Sequence, residues 1–364
     1  MHQWVWTSRK DDTILIQLLT IALVAPPPLQ YPMNILVTGG AGYIGSHAVK
    51  ALIAQGDRVV ALDNLFRGHR AAVHPQAVFC QGDVADKVLV ERLLREHQIE
   101  CVMHFAAKAY VGESVAAPLD YYRANTVGTL SLLEAMQNAE VDRLVFSSTA
   151  ATYGVPEELP IRETTPQSPC NPYGWSKRFV EQILIDYAHA NPLFGAITFR
   201  YFNVAGCSSD GTLGEDHTPE THLVPAILLA ALGLRPAIEV FGQDYPTPDG
   251  TCVRDYLHVE DLCDAHLLAA EKIQPGCVQF FNLGIGRGYS VLELIESARR
   301  VTGRAIPVKE GPRRAGDPPS LYANADRAME TLAWKPRYLE LDQIVETAWR
   351  WFERHPQGYP KAIG

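Results

Sequence analysis

Tyr173 and Lys177 are the residues whose types and spacing most directly suggest chemistry. They are four positions apart in a segment that follows Pro172 and reads as a helix, so both side chains lie on one helical face. A phenol with a pKa of about 10 is a weak base at neutral pH, but a neighbouring ammonium group favours the phenolate. Thr149 follows a predicted strand at 144–147 and offers a hydroxyl that would share a proton with Tyr173. The alternative for residues 147–149 is an ordinary turn at a strand end.

A glycine-rich turn near residue 40 predicts a dinucleotide site. Gly39, Gly42 and Gly45 lie between a predicted strand and a predicted helix, where glycine permits a tight turn and a close approach to a pyrophosphate. Asp63 ends the second predicted strand and is placed to accept the ribose hydroxyls, which favours NAD over NADP. Arg67 is a candidate for a 2′-phosphate, but the Asp63 carboxylate would repel that group. The cationic ring of NAD would also favour the Tyr173 phenolate.

Other polar residues have weaker signals. Asp83 is suited to bind the adenine amino group, or is an ordinary loop aspartate. Arg254 and Arg314 can clamp phosphates and Asp317 can accept sugar hydroxyls, whereas the alternative for each arginine is a surface ion pair. A second group, His217 and His222, has no HExxH pattern and no predicted helix to align it, so no metal site is predicted.

The elements that must position these residues alternate between strand and helix. Helical stretches at 87–97 and 126–139 separate the apolar runs, and a last amphipathic helix is predicted at 342–354. Such alternation predicts an α/β, Rossmann-type, doubly wound parallel sheet at 33–205, with later segments returning to it, and a smaller mixed α/β lobe at 206–364. The predicted strands are 34–38, 58–62, 77–80, 101–105, 144–147 and 196–200.

Composition excludes several classes of protein. The 364 residues carry a net charge of −9, which is the wrong sign for a protein that coats nucleic acid. Seven cysteines without a CxxC pair favour reduced thiols and a cytoplasmic location. The apolar run at 14–25 is too short to span a membrane, and Asp11 and Asp12 argue against a signal peptide. Residues 1–32 are expected to be a leader without function, because Met33 precedes the first strand.

Six motifs, in order between about Met33 and Pro360, closely resemble the UDP-glucose 4-epimerase family of extended short-chain dehydrogenases/reductases. They are TGGAGYIGSH at 38–47, FSSTAATYG at 146–154, YGWSK at 173–177, RYFN at 200–203, GTCVRDY at 250–256 and HPQGYP at 355–360.

The resemblance implies a tightly held NAD and interconversion of UDP-galactose and UDP-glucose through a transient 4-keto sugar. It also implies that Tyr173 removes the 4-hydroxyl proton while Thr149 steadies that oxygen, and that the protein is a homodimer. The implied cofactor-binding residues are Gly39, Gly42, Tyr43, Ile44, Gly45, Asp63, Asn64, Leu65, Asp83, Val84, Phe105, Ala106, Ala107, Asn125, Tyr173, Lys177 and Phe202. The implied substrate-binding residues are Thr149, Tyr173, Asn203, His222, Leu223, Val240, Phe241, Arg254, Tyr256, Arg314, Asp317 and Leu321.

Some positions depart from the family pattern. Thr149 replaces a common serine and keeps the hydroxyl, whereas His222 replaces an asparagine. Lys108 is one place earlier than the usual lysine and is assigned no contact with NAD. Leu321 lies where members strict for unacetylated sugars often carry tyrosine, which predicts UDP-GlcNAc and UDP-GalNAc as a second substrate pair.

Two other functions share parts of this pattern. A nucleotide-sugar 4,6-dehydratase needs an Asp-Glu pair directly after the threonine, but Ala150 and Ala151 follow Thr149 here. A regulator that senses NAD on the same fold would be expected to lack the tyrosine or the lysine, and both are present.

Overall fold

A parallel sheet with helices on both faces dominates the computed structural model, which describes residues 32–314 and 317–360. In that part of the chain seven strands pair in the order β11-β6-β5-β4-β1-β2-β3. Every pairing is parallel, so the predicted fold class is confirmed. The strands are β1 (Asn34–Thr38), β2 (Arg58–Asp63), β3 (Val78–Gln81), β4 (Cys101–His104), β5 (Arg143–Ser147), β6 (Gly195–Tyr201) and β11 (Val278–Leu283). The predicted leader lies outside the described residues, apart from Pro32.

Both faces of this sheet are buried because successive side chains point in opposite directions. Ile35 and Val37 of β1 pack into one apolar cluster, while Leu36 between them packs into another. The helices are α1 (Tyr43–Gln55), α2 (Lys87–Glu96), α3 (Val111–Ala116), α4 (Pro118–Tyr121), α5 (Gly128–Ala139), α6 (Pro172–Ala190), α7 (Leu223–Ala231), α8 (Val259–Lys272), α9 (Val291–Thr302), α10 (Asp326–Leu332) and α11 (Leu341–Arg354). The α1 helix packs on α8 at one face, and α2 packs on α5 at the other.

The helix predicted at 126–139 is two segments in the structure. A turn of π-helix at Tyr122–Val127 precedes α5, which begins at Gly128. Such wide turns often accompany functional sites. This one carries Asn125, whose side chain contacts the loop after β4.

The second half of the chain forms small sheets around a separate apolar cluster. The remaining strands are β7 (Asn203–Ala205), β8 (Ile238–Phe241), β9 (Val253–Arg254), β10 (Tyr256–His258), β12 (Tyr289–Ser290), β13 (Val308–Gly311) and β14 (Ser320–Leu321). They pair as β10-β7, β12-β9-β14 and β13-β8. The last helix, α11, packs its apolar face against α7 and α9. Within the described residues no helix combines the length and the apolar character needed to cross a membrane.

Candidate functional site

The turn between β1 and α1 is shaped by glycines that no other residue could replace without a shift of the backbone. Gly39 has a φ of +74°, and a Cβ there would lie 2.7 Å from the backbone N of Ala106. A Cβ at Gly45 would lie 2.0 Å from the carbonyl oxygen of Gly39. The glycines therefore let the helix start directly against the strand end, which leaves its first N–H groups free to meet an anion.

Asp63 is held against this turn at the end of β2. Its Oδ2 accepts a hydrogen bond from the Ala41 N–H at 3.0 Å, and its Oδ1 accepts one from the Leu65 N–H at 2.8 Å. Burial raises the pKa of Asp63, and these backbone bonds partly oppose that effect. The carboxylate is therefore fixed beside the glycine turn, where the sequence placed it.

The neighbouring predicted cofactor residues line the same edge of the sheet. Asn64 donates from Nδ2 to Oδ2 of the exposed Asp83 at 2.8 Å, while Val84 is buried. The N–H groups of Phe105 and Ala106 both donate to Thr38 O, and Ala107 is exposed. On α1, Tyr43 donates from its hydroxyl to Gly206 O at 2.6 Å, and Ile44 is half-buried.

Two side chains near this edge have partners within the protein. Asn125 accepts from the Lys108 N–H at 2.8 Å and donates to Lys108 O at 2.9 Å and to Ser176 Oγ at 2.9 Å. Arg67 pairs with Glu113, and its guanidinium lies 3.5 Å from the centre of the Tyr110 ring. Asn125 thus positions the loop after β4, a role that the sequence did not predict, and Arg67 is not free to meet a phosphate.

Thr149 and Tyr173 meet because α6 begins close to the end of β5. A Cβ at Gly174 would lie 2.5 Å from Ala151 O, so glycine is required for this approach. Burial raises the pKa of the half-buried Tyr173, and the neighbouring Thr149 hydroxyl lowers it. The two hydroxyl groups can therefore act on one bound oxygen atom, with the proton passing to or from Tyr173.

Lys177 lies one turn farther along α6 and is buried. Its Nζ donates to Ser147 O at 2.8 Å and lies 4.8 Å from the centre of the Phe146 ring. Burial lowers the pKa of Lys177 to about 7, although the Glu181 carboxylate acts in the opposite direction. Burial thus disfavours the protonated form of Lys177, the ammonium group that was expected to favour the Tyr173 phenolate. In this structure the amine group is held by the carbonyl at the end of β5.

A buried ion pair that was not predicted from the sequence lies next to Lys177 and Ser148. Glu181 and Arg200 are 0% and 4% exposed and form two hydrogen bonds, Nε to Oε1 at 2.9 Å and Nη2 to Oε2 at 2.7 Å. Ser148 Oγ donates to the same carboxylate at 2.6 Å, and Arg200 Nη1 donates to the Tyr153 hydroxyl at 2.9 Å. This network fixes the residue before Thr149 to the middle of α6.

The two predicted phosphate-binding arginines lie on different strands of the second lobe. Arg254 is on β9, where its Nη1 donates to Val253 O and Pro318 O, and its Nη2 lies 3.9 Å from Asp317 Oδ1. Arg314 is exposed, and its guanidinium lies 4.0 Å from the centre of the Phe241 ring. Among residues 32–314 and 317–360, neither guanidinium has partners for all of its N–H groups, so each can still bind an anion.

Leu321 connects this second group to the proton-transfer residues. It pairs with Arg254 across β14 and β9, and its side chain packs with Phe202 in an apolar cluster that contains Ala150. Ala150 directly follows Thr149 in the chain. The side chain at position 321 therefore contacts the same apolar cluster as the residue next to Thr149.

Two predicted substrate residues are buried in the second lobe. Tyr256 is 2% exposed and Val240 is 1% exposed, and both pack in the apolar cluster of the second lobe. Both side chains face the apolar interior of the second lobe, because alternate residues of a strand face opposite sides. Asn203 is exposed on β7, and Leu223 is half-buried at the start of α7, so both remain accessible.

Asp255 is a buried residue that the sequence reading did not single out. It accepts from the N–H groups of Ile285 at 2.9 Å and Ala323 at 3.1 Å. Burial raises the pKa of Asp255 to about 6. The carboxylate thus joins three chain segments directly behind Arg254, which positions that arginine.

His217 and His222 lie together with two glutamates, although no helix aligns them. The segment between β7 and α7 brings Glu215 and Glu220 within 4.0 Å of the histidine rings. Burial alone would lower the pKa values of the histidines, but the carboxylates raise that of His217 to about 9 and that of His222 to about 10. The four side chains therefore come together without the helix whose absence counted against a metal site in the sequence.

Comparison with known proteins adds a family and several relatives. A model described as the NAD dependent epimerase/dehydratase family matches residues 35–284. The UDP-glucose 4-epimerase of Lactobacillus helveticus is 53% identical over 330 residues, which cover 90% of this chain and 99% of that protein.

Solved structures show the same likeness. The UDP-glucose 4-epimerase from Bifidobacterium longum in complex with NAD+ and UDP has a TM-score of 0.87 and 41% identity, covering 90% of this chain and 100% of that one. The UDP-Glc/GlcNAc 4-epimerase from Campylobacter jejuni has a TM-score of 0.77 and 40% identity, covering 88% and 99%.

Proposed function

The chain belongs to the NAD-dependent epimerase/dehydratase family, and we propose that it interconverts UDP-galactose and UDP-glucose in galactose metabolism. The observation that carries the proposal is the close approach of the start of α6, which holds Tyr173, to the segment that follows Thr149 at the end of β5. It lies on the same sheet edge as the glycine turn, because parallel strands end together. Relatives that are 51–53% identical over 90% of this chain are named UDP-glucose 4-epimerases.

The residues at the glycine turn fit NAD. The free N–H groups at the start of α1 suit a pyrophosphate, and the fixed Asp63 carboxylate suits ribose hydroxyls. When bound, NAD supplies the hydride acceptor and donor for C4 of the sugar. We assign NAD binding to the domain at 33–205 with its returning segments, and UDP-sugar binding mainly to residues 206–364.

The protein's own residues handle the proton and the diphosphate. Tyr173 takes the proton of the 4-hydroxyl group as the 4-keto sugar forms, and it returns the proton after the sugar has rotated to present its opposite face. Thr149 holds the oxygen atom on C4 by a hydrogen bond. Arg254 and Arg314 bind the diphosphate, and Asp317 accepts a hydrogen bond from a sugar hydroxyl group. These arginines concentrate positive charge locally in a chain whose net charge is −9.

Incubating the purified protein with UDP-galactose, without added NAD, tests the proposed function. We expect UDP-glucose to accumulate to a constant ratio, because the reaction returns NAD to its starting form. Failure to form UDP-glucose with or without added NAD would contradict the proposal. Release of a 4-keto-6-deoxy sugar would instead identify a dehydratase, although Ala150 and Ala151 provide no acid for that elimination.

The Thr149→Val variant tests the proton-sharing role of this hydroxyl. The Thr149 hydroxyl lowers the pKa of Tyr173, so its loss raises that pKa. A smaller fraction of Tyr173 is then deprotonated at a given pH, and the acidic limb of the kcat profile moves to higher pH. The control is Thr126→Val, which removes a hydroxyl that donates to Ser176 O at 3.1 Å. An unshifted limb in Thr149→Val would contradict the assignment.

We also propose that the site accepts N-acetylated UDP-sugars. Leu321 leaves more room than tyrosine beside the cluster of Phe202 and Ala150, and the similar Campylobacter jejuni protein is a UDP-Glc/GlcNAc 4-epimerase.

Replacing Leu321 with tyrosine should lower kcat/KM for UDP-GalNAc by about tenfold or more, because the added ring fills space that the acetyl group needs. Activity on UDP-galactose should fall much less, and the Leu321→Met variant, which keeps the volume, is the control. Equal losses on both sugars would show that position 321 does not select between them.

A homodimer is proposed from an apolar surface on α6 and the segments beside it. Trp175 and Phe179 are 39% and 44% exposed, and their rings lie 5.5 Å apart. Other large apolar side chains exposed on neighbouring segments are Val115, Leu119, Val127 and Leu130. An apolar surface of this kind marks a protein interface.

The Phe179→Glu variant should convert the dimer to a monomer, because a charge would be buried at the interface. Light scattering after size exclusion measures the mass, and Leu234→Glu, at an exposed leucine after α7, is the control. A monomeric wild-type protein would contradict the proposed dimer.

We further propose a cytoplasmic location. All seven cysteines lie in the described part of the chain and are free there, which supports a reducing compartment.

A further inference from the structure

Glu215, His217, Glu220 and His222 form a compact cluster in the segment between β7 and α7. One potential ligand atom of each residue lies within 4.8 Å of all the others. His222 Nδ1 is 2.9 Å from Glu215 Oε1 and 3.0 Å from Glu220 Oε1. His217 Nδ1 is 3.3 Å from Glu215 Oε1 and 3.7 Å from Glu220 Oε2. Two imidazole nitrogens and two carboxylates therefore converge on one point.

His217 has a buried ring nitrogen without a well-formed hydrogen bond. Its Nδ1 is buried and makes no hydrogen bond to any of the described residues, although carboxylate oxygens lie near it. The 3.3 Å distance to Glu215 Oε1 would permit a hydrogen bond, but the ring nitrogen is not aimed at that oxygen, and Glu220 Oε2 at 3.7 Å is too far away. A buried polar atom without a hydrogen bond requires an explanation.

The spacing matches the coordination shell of zinc. Zinc binds histidine nitrogen and carboxylate oxygen at about 2.0–2.2 Å in a tetrahedron, so neighbouring ligand atoms lie about 3.3–3.6 Å apart. The four separations between histidine nitrogen and glutamate oxygen in the structure are 2.9, 3.0, 3.3 and 3.7 Å, close to those values. Imidazole ligands favour zinc over calcium and magnesium, which prefer oxygen ligands.

We propose that these four residues bind a structural zinc ion, which makes His222 a metal ligand rather than the substrate contact that the family resemblance implies. Four protein ligands fill a tetrahedral shell and leave no open position for a reacting group, so the ion takes no part in the sugar chemistry. It fixes the segment that leads into Leu223 and α7. Two residues of the first half of the chain also contact this segment. His69 Nε2 lies 2.9 Å from Asp216 O, and the Tyr110 hydroxyl donates to Pro219 O at 3.0 Å.

Zinc content of the full-length protein tests the proposal. The protein is treated with a chelator, equilibrated with Zn²⁺, desalted and analysed for metal by mass spectrometry. We expect one zinc ion per chain, and a midpoint of thermal unfolding that rises with zinc and falls with chelator. These readouts do not depend on enzyme activity, so they stand whether or not the proposed reaction is correct.

The His217→Gln variant should weaken zinc binding by about a hundredfold or more, because it removes one of four ligands. The His189→Gln variant, at an exposed histidine near the end of α6, should bind zinc as the wild type does. Should His217→Gln fail to fold, Glu220→Gln and the zinc titration of the wild type provide the same test. Absence of stoichiometric zinc in the wild type would overturn the proposal and leave a cluster held by ion pairs alone.

Discussion

The Tyr173→Phe variant should lower kcat for the epimerisation of UDP-galactose by about a hundredfold to ten-thousandfold, the usual contribution of a positioned acid or base. Only the phenolic oxygen is lost, so the ring keeps its packing, including the edge contact with Tyr121 at 6.4 Å. Thr149 cannot replace it, because the pKa of an aliphatic hydroxyl group is far too high for a base. The KM for UDP-galactose should change little, since Arg254 and Arg314 bind the other part of the substrate.

Tyr187→Phe is the matched control for this variant. It removes a hydroxyl from the same helix, where Tyr187 packs on Phe194 with ring centres 4.7 Å apart and has no place in the proposed site. Turnover and retained NAD are measured for both variants, the latter by absorbance after denaturation. A Tyr173→Phe protein that holds NAD and keeps wild-type turnover would show that another group moves the proton.

The strand, glycine turn and helix that the sequence predicted near residue 40 are present in the structure, and they are local in the chain. The turn from β1 to α1 is a continuous segment whose glycines are required by contacts with their own neighbours, as the 2.0 Å approach of a Gly45 Cβ to Gly39 O shows. Asp63 follows its strand directly and is held by the same turn. Propensity and periodicity describe such segments well, because few distant residues are involved.

The parts that were missed depend on partners far away in the sequence. Glu181 and Arg200 read as ordinary helix and strand residues, and only the packing of α6 against β6 buries them together. Asn125 was expected to face NAD, yet its amide groups are used by Lys108 and Ser176. The inward direction of Tyr256 could not be predicted, since a strand of three residues is too short to show which face is buried.

The histidine cluster shows the same limit in another form. The HExxH motif is recognised because its spacing places two histidines on one face of a helix. Here the histidines lie on an irregular segment that His69 and Tyr110, from the other half of the chain, hold in place. The signal that could have found it is the combination of two histidines and two glutamates within eight residues. These four residues are visible in the sequence, but they were set aside because no helix was predicted there.

The Glu181→Gln variant should lower the free energy of unfolding by about 3–5 kcal/mol, because it leaves the Arg200 charge buried without its counter-charge. The carboxylate accepts four hydrogen bonds, from Arg200 Nε and Nη2, Ser148 Oγ and Gln167 Nε2, and a glutamine amide cannot accept all of them. Since Ser148 precedes Thr149, kcat should fall as well. Denaturant unfolding and steady-state kinetics measure the two effects.

Glu346→Gln is the control for this variant, because Glu346 forms an exposed ion pair with Arg350 one helical turn away. Exposed pairs contribute little, so its unfolding free energy should stay within error of the wild type. A loss in Glu181→Gln below about 1 kcal/mol would mean that water or a rearranged partner compensates Arg200. A large loss of stability with unchanged kcat would separate the two roles, because the ion pair would then support the fold without positioning Thr149.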